Sequence, residues 1–368
     1  MVLREIHDIL ESWAPKAIAW ERDNVGLQSG SMDQTIRRIL VTVDVTDAVL
    51  DEARRKRANL VLSHHPLLFN PLTSIRPDQR TGRLLLKAIH NNIALYAIHT
   101  NLDFIEWGVS SALAEKLSLT ETRILDNDQH RQVKIIVFVP IDYTNKVMLA
   151  MSRAGAGVIG NYETCSFRTT GTGTFLPLQG ARPHLGKKGQ LEQTQESRLE
   201  MILPEWKTDA VLQAMRSVHP YDEIAYDVYR LANASMNVGA GAIGVLRKTM
   251  PLKKFLSHVQ KSLRLPVLRY TGNPSMNITR VAVCGGSGSK YVAKAITEEA
   301  DAFVTADVQY HAFQEADGHI ALIDAGHYET ERPAVQRVVQ FLHSHNTLKK
   351  QNIQIFPSTI NSNFVQYS

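Results

Sequence analysis

Between residues 37 and 119 the chain alternates short apolar runs with stretches of helical period. Ile39-Leu40-Val41-Thr42-Val43 reads as a buried strand, and residues 47–57 as a helix entered through Thr46. Leu60-Val61-Leu62 predicts a short strand, 82–90 a helix, 93–98 a third strand and 108–117 another helix. Strands and helices in alternation are the pattern of a mostly parallel sheet covered on both faces. The rhythm returns late in the chain, with strands over 280–284, 302–305 and 320–323 and a helix over 290–299. Val335, Val338, Val339 and Leu342 share one face of a last long helix. Thr330 is its expected cap, and Pro333 suits its first turn.

The middle of the chain is patterned differently. A strand over 133–139 leads to a helix over 144–153, then to a hairpin through 162–167 and 173–176. A polar stretch with Gly, Pro and Lys over 179–195 reads as a long flexible loop. A strand over 198–203 follows, then a helix with Val211, Ala214, Met215 and Val218 on one face, then a strand over 223–229. That order is the ferredoxin-like arrangement with room for an extra hairpin strand. The expected fold class is α/β: a discontinuous α/β domain of residues 1–129 and 233–368 with a mostly parallel sheet. Residues 130–232 form an inserted ferredoxin-like α+β domain, placed where exposed loops tolerate insertions.

Composition narrows function more than fold. A chain of 368 residues that is 44% hydrophobic has apolar material for more than one core. The net charge of +5 is mild, and the densest basic run, Arg54-Arg55-Lys56-Arg57, reads as a solvated helix face. Aromatic residues are not interleaved with basic ones, which argues against a nucleic-acid-binding ring. Cys165 and Cys284 fit neither a disulfide scaffold nor a thiolate zinc site, and read as buried reduced thiols. No apolar run approaches the roughly 18 residues of a spanning helix, and no apolar segment follows the first charged residues. The expected location is cytoplasmic, with no membrane partner.

The chemistry gathers at strand ends, where open parallel sheets place their ligands. The strand 60–62 ends in Ser63-His64-His65-Pro66, and 93–98 ends in His99-Thr100-Asn101-Leu102-Asp103. The strand 302–305 ends near Asp307 and His311, and 320–323 ends in Asp324-Ala325-Gly326-His327-Tyr328-Glu329-Thr330-Glu331. Histidine, aspartate and glutamate without cysteine suit a divalent zinc, manganese, iron or cobalt ion. Neighbouring side chains on extended backbone diverge, so His64 and His65 together point to two ions rather than one. Asp103 and Glu331 are then bridging or terminal carboxylates, and His327 completes the second ion's shell. In a helix His327 and Glu331, four apart, share a face. Two such ions would activate a water molecule for hydrolysis. Gly285-Gly286-Ser287-Gly288 lacks the spacing of a dinucleotide fingerprint and reads as a tight strand-to-helix turn. His219-Pro220-Tyr221-Asp222 reads as a turn after a helix.

At these residues the sequence resembles the NGG-interacting-factor-like dinuclear-metal family, also catalogued as GTP cyclohydrolase 1 type 2. Asp23-Asn24-Val25-Gly26-Leu27-Gln28 is similar to the family's opening motif. Ser63 to Pro66, His99 to Asp103, Cys284 to Gly288 and Asp324 to Glu331 are similar to its later motifs, in the same order. Glu196-Ser197-Arg198-Leu199-Glu200 and His219-Pro220-Tyr221-Asp222-Glu223 resemble the middle domain of longer members, which is similar to CutA and PII-like proteins. The resemblance implies that His64, His65, Asp103, His327 and Glu331 bind two divalent metals. It also implies a toroidal homohexamer with the metal centres facing an internal cavity. The catalogue name implies hydrolytic opening of the guanine imidazole ring of GTP, with His99, His311 and Asp307 as candidates for proton transfer. One departure is Ala306, where relatives carry Gly before the Asp. The competing expectation is a non-catalytic regulatory or scaffold ring with structural metals and an inserted domain that senses a small ligand.

Overall fold

A computed structural model describes residues 1–127, 131–234 and 237–367. The chain divides into two units, Met1–Asp126 with Asn237–Ser368, and Asn127–Met236.

In the first unit the single expected sheet is two sheets. One has the order Gly26–Ser29, Ala94–Ala97, Leu60–Ser63, Arg38–Thr42, Gln354–Pro357, parallel except for its first strand. The apolar runs read from the sequence are unbroken because both faces are covered. Ile39, Val41, Leu60 and Leu62 enter one core, while Leu40 and Val61 enter the other. The second sheet has the order Arg269–Tyr270, Ala321–Asp324, Ala302–Ala306, Asn277–Ser287, Ala240–Pro251, Leu119–Asp126. Its middle three strands are parallel. Ala240–Pro251 pairs antiparallel with both neighbours, so the chain begins a new sheet after residue 119 instead of extending the old one. Phe255, Val259 and Leu263 of the helix Leu252–Leu263 pack in the core of this second sheet.

Local signals explain the helix boundaries that matter. Thr46 Oγ1 accepts the Val49 N–H at 3.2 Å and caps Asp47–Lys56, as its sequence position predicts. Thr330 does not cap the last long helix. That helix, Pro333–Ser344, starts behind Arg332 with Pro333 at its head. The Thr330 hydroxyl instead bonds the carbonyls of Gly326 and His327, and accepts the Gly286 N–H at 3.0 Å. This ties the short helix His327–Glu331 to the strand Asn277–Ser287.

The second unit is one antiparallel sheet of order Phe167–Phe175, Glu192–Pro204, Arg131–Pro140, Tyr226–Ala234. Val133, Ile135, Val137, Leu199 and Met201 form its core with Val147 and Met151 of Thr144–Arg153 and Val211 and Met215 of Thr208–Arg216. The expected hairpin at 162–176 is a single strand, and its partner Glu192–Pro204 reaches back into the stretch expected as loop. Backbone pairing along that length overrides the polar side chains of residues 192–195. Cys284 is buried as expected, but Cys165 is only half-buried, and both thiols are free. Among the described residues no helix is long and apolar enough to cross a membrane.

Candidate metal centre

Both sheets of the first unit deliver their strand ends to one cluster. His64 and His65 follow Leu60–Ser63, and the turn that carries them donates two backbone N–H groups to Thr42 and Val43 at 3.0 Å each. That bend turns two adjacent rings to the same side, with centroids 5.0 Å apart. His99 immediately precedes the short helix Thr100–Asp103, and Asp103 closes it. From the second sheet, His327 and Glu331 begin and end the helix His327–Glu331, and their side chains meet at 3.0 Å.

Glu331 is the hub. Its carboxylate lies 3.0 Å from His327 Nε2, 3.1 Å from His65 Nε2 and 3.6 Å from His64 Nε2. Asp103 lies 3.7 Å from His64 Nε2. Two trios of potential ligand atoms each fall within 4.8 Å, one of His64, His65 and His99 and the other of His65, His327 and Glu331.

Each of the four histidines is fixed from behind by a different acceptor. His64 Nδ1 donates to the Ile98 carbonyl at 2.9 Å, and His65 Nδ1 to Asp44 at 2.8 Å. His99 Nδ1 donates to Asp23 at 2.9 Å, and His327 Nδ1 to Asp307 at 2.6 Å. A ring that spends Nδ1–H outward presents Nε2 inward, the arrangement by which metal-binding histidines are oriented. His64 Nε2 is buried without a hydrogen-bond partner. An unpaired buried polar atom is costly, and a ring nitrogen aimed into a cluster of carboxylates fits a cation. The donor set therefore fits a borderline divalent metal.

Electrostatics bind the cluster together. Burial would lower the His65 ring, but Asp44 and Glu331 outweigh it and raise its pKa to about 10. His327 is raised to about 9 against the same burial by Glu331 and Asp307. Burial would raise Glu331, yet the three histidines hold its carboxyl far below the ordinary carboxylate range. Asp23 is held at about 2: hydrogen bonds from His99 and Thr100 overcome its burial.

The glycines expected to make a turn have another role. The strand Asn277–Ser287 runs through Gly285 and Gly286, and the turn into the helical segment Ser289–Tyr291 comes only at Gly288. Gly286 has φ +64°, and a Cβ on it would come within 2.3 Å of Glu331 Oε1. The carboxylate occupies the space of a missing side chain.

The match of the whole chain now bears on this geometry. The family described as Duf34/NIF3 (NGG1p interacting factor 3) matches residues 1–363. The chain belongs to this family. Among its relatives is a protein of Halalkalibacterium halodurans named GTP cyclohydrolase 1 type 2 homolog, 41% identical over 96% of this chain and 95% of its own length. A Bacillus subtilis protein of the same name is 39% identical over 98% of this chain and 97% of its own length. Of solved structures, a Bacillus cereus protein related to NIF3 superposes with TM-score 0.83 at 39% identity, covering 100% of this chain and 99% of that one. A Staphylococcus aureus protein does so with TM-score 0.80 at 28% identity, again covering 100% and 99%.

In this NIF3-family chain the cluster brings together His64, His65, Asp103, His327 and Glu331, with His99 alongside. His311 stands apart from it. It is exposed, and its ring contacts Gln314 and Tyr310. Asp307 adopts φ 55° and reaches the cluster through His327. Asp44 was missed in the sequence although it too follows a strand, Arg38–Thr42. A fifth strand end bearing an acid was the available signal. Asp23 stood within the opening motif, but nothing local to residue 23 pointed to His99.

Proposed function

We propose that the NIF3-family chain is a dinuclear metallohydrolase acting on a nucleotide or related compound. The observation that carries this reading is that three histidines, His64, His65 and His327, each fixed at Nδ1, direct Nε2 toward the Glu331 carboxylate. His64, Asp103 and Glu331 would hold one divalent ion, and His65, His327 and Glu331 the other. Bound there, zinc, manganese, iron or cobalt would supply Lewis acidity and bring a water molecule's pKa toward neutrality. His99 lies beside the cluster, 5.2 Å from the His64 ring and 5.4 Å from the His65 ring between centroids. Held by Asp23, it is the group placed to move a proton to or from substrate. Asp307 orients His327, and His311 takes no part.

The relatives' name supports GTP as the first substrate to test, with formate as the released product. The sheet order of the 127–236 unit, with two helices supplying its core, supports reading it as a ferredoxin-like insert of the CutA/PII kind. Family likeness supports a toroidal homohexamer. The test is elemental analysis of freshly purified protein, then formate release from GTP by the protein loaded with that metal, in wild type and in His64→Ala. If metal-loaded wild type converts neither GTP nor any of a panel of nucleotides and phosphoesters, the hydrolase reading fails and a structural role for the metals replaces it.

A further inference from the structure

Two passages of the sequence that the metal centre does not use, 196–200 and 219–223, meet at a cavity within the 127–236 unit. The cavity holds about 520 Å³ and is walled by Phe138, Phe175, His184 and Tyr221. That volume falls in the range of small-molecule sites. Its charged lining is Glu196, Asp222 and Glu223, and among the described residues no Lys or Arg lines it.

The site is built from behind. His219 accepts the Tyr221 N–H on Nδ1 at 3.2 Å and donates Nε2–H to the Phe138 carbonyl at 3.1 Å. This is a neutral ring, and burial pushes its pKa down, which keeps it neutral. Tyr221, so positioned, donates its hydroxyl to Glu196 Oε1 at 2.8 Å. Glu196 is only 9% exposed. Its Oε2 lies where Gly173 has no side chain, since a Cβ there would come within 2.2 Å of it. Phe175 and His184 stand 6.2 and 6.3 Å from the Tyr221 ring, centroid to centroid. The result is a buried carboxylate, oriented by one neutral hydroxyl and facing aromatic walls, with two more carboxylates in the lining. A charge in such a place calls for an opposite charge, and aromatic faces attract cations.

We propose that this cavity binds a small organic cation, an ammonium or guanidinium group carried on an apolar body. The cationic head pairs with Glu196, and the body lies against Phe138, Phe175 and Tyr221. The proposal stands whether or not the metal centre is catalytic.

Calorimetric titration of the full-length protein with phenethylammonium and agmatine tests it, with 3-phenylpropionate as a control of like size and opposite charge. Saturable binding of at least one cation is expected, about tenfold or more tighter than the carboxylate control. Glu196→Gln keeps the shape of the side chain and its bond from Tyr221, and should weaken the cation about tenfold or more. Asp222→Asn, on the exposed part of the lining, should weaken it less. Thermal melting of both variants confirms that they fold. The absence of saturable binding by either cation overturns the proposal. So does equal affinity for the anionic control, or cation binding that Glu196→Gln leaves unchanged in a folded protein.

Discussion

Asp44 Oδ1 and His65 Nδ1 meet at 2.8 Å, and Asp44 Oδ2 accepts the Ser362 hydroxyl at 3.2 Å. A residue near the end of the chain therefore helps aim a candidate metal ligand near its beginning. Removing such a partner leaves the ligand in place but loosely oriented, which typically costs about 10–100-fold in metal affinity. Asp44→Asn should therefore retain metal at saturating concentration and release it about 10–100-fold more readily to a competing chelator. Affinity equal to that of wild type would show that the Asp44 contact orients nothing.

That contact also shows what could be read from the sequence. The parallel strands 38–42, 60–63 and 94–97 were legible because burial on both faces leaves an unbroken apolar run. The strand ends followed, and with them His64, His65, Asp103, His327 and Glu331. Partners such as Asp44 and Asp23 were not legible as partners, because their roles depend on which loop packs against which. That strands 280–284, 302–305 and 320–323 belong to a separate sheet was not legible for a related reason. Ala240–Pro251 contains Gly241 and Gly244, and its residues 247–249 are exposed, so no clean run or alternation marks it. The turn assigned to residues 285–288 narrows to Gly288, because glycine signals conformational freedom and close approach alike, and at Gly286 the close approach to Glu331 decides.

Gly286 gives the sharpest test of that approach. Alanine there must adopt φ +64° and place a methyl carbon within 2.3 Å of Glu331 Oε1. Strain of about 1–3 kcal/mol in the backbone would be joined by displacement of the carboxylate. Gly286→Ala should lose most of its metal, as measured by elemental analysis after dialysis, while remaining folded by circular dichroism. Full retention of metal would mean that Glu331 is not a ligand.

Histidines 99 and 311 are separable in one experiment. His99 abuts the rings of His64 and His65, whereas His311 is exposed beside Gln314. With whichever substrate is turned over, His99→Gln should lower kcat by about 10²–10⁴-fold if the ring moves a proton. His311→Ala should leave kcat and metal content unchanged. The reverse pattern would return His311 to the site.

Stability of the first unit should carry an acid limb from Glu52. This side chain, 2% exposed on the helix Asp47–Lys56, clips the segment after the last strand. Ser358 Oγ donates to it at 2.5 Å, Thr359 N at 3.0 Å, Thr359 Oγ1 at 2.7 Å, and Lys56 Nζ lies at 2.9 Å. Burial would raise its pKa, but these donors outweigh burial and lower it from 4.5 to about 2. A carboxylate with a depressed folded-state pKa contributes stability that is fully present above its unfolded value and is lost as pH falls toward the folded one. The contribution, on the order of 3 kcal/mol at neutral pH, should therefore decline between about pH 4.5 and pH 2. Urea melts of wild type and Glu52→Gln at intervals from pH 7 downward measure this directly. The variant should be less stable at pH 7, and the gap should close as pH drops below 4.5. A gap that stays constant to the lowest pH at which wild type folds would mean that the ionised Glu52 carboxylate contributes nothing beyond what the neutral amide supplies.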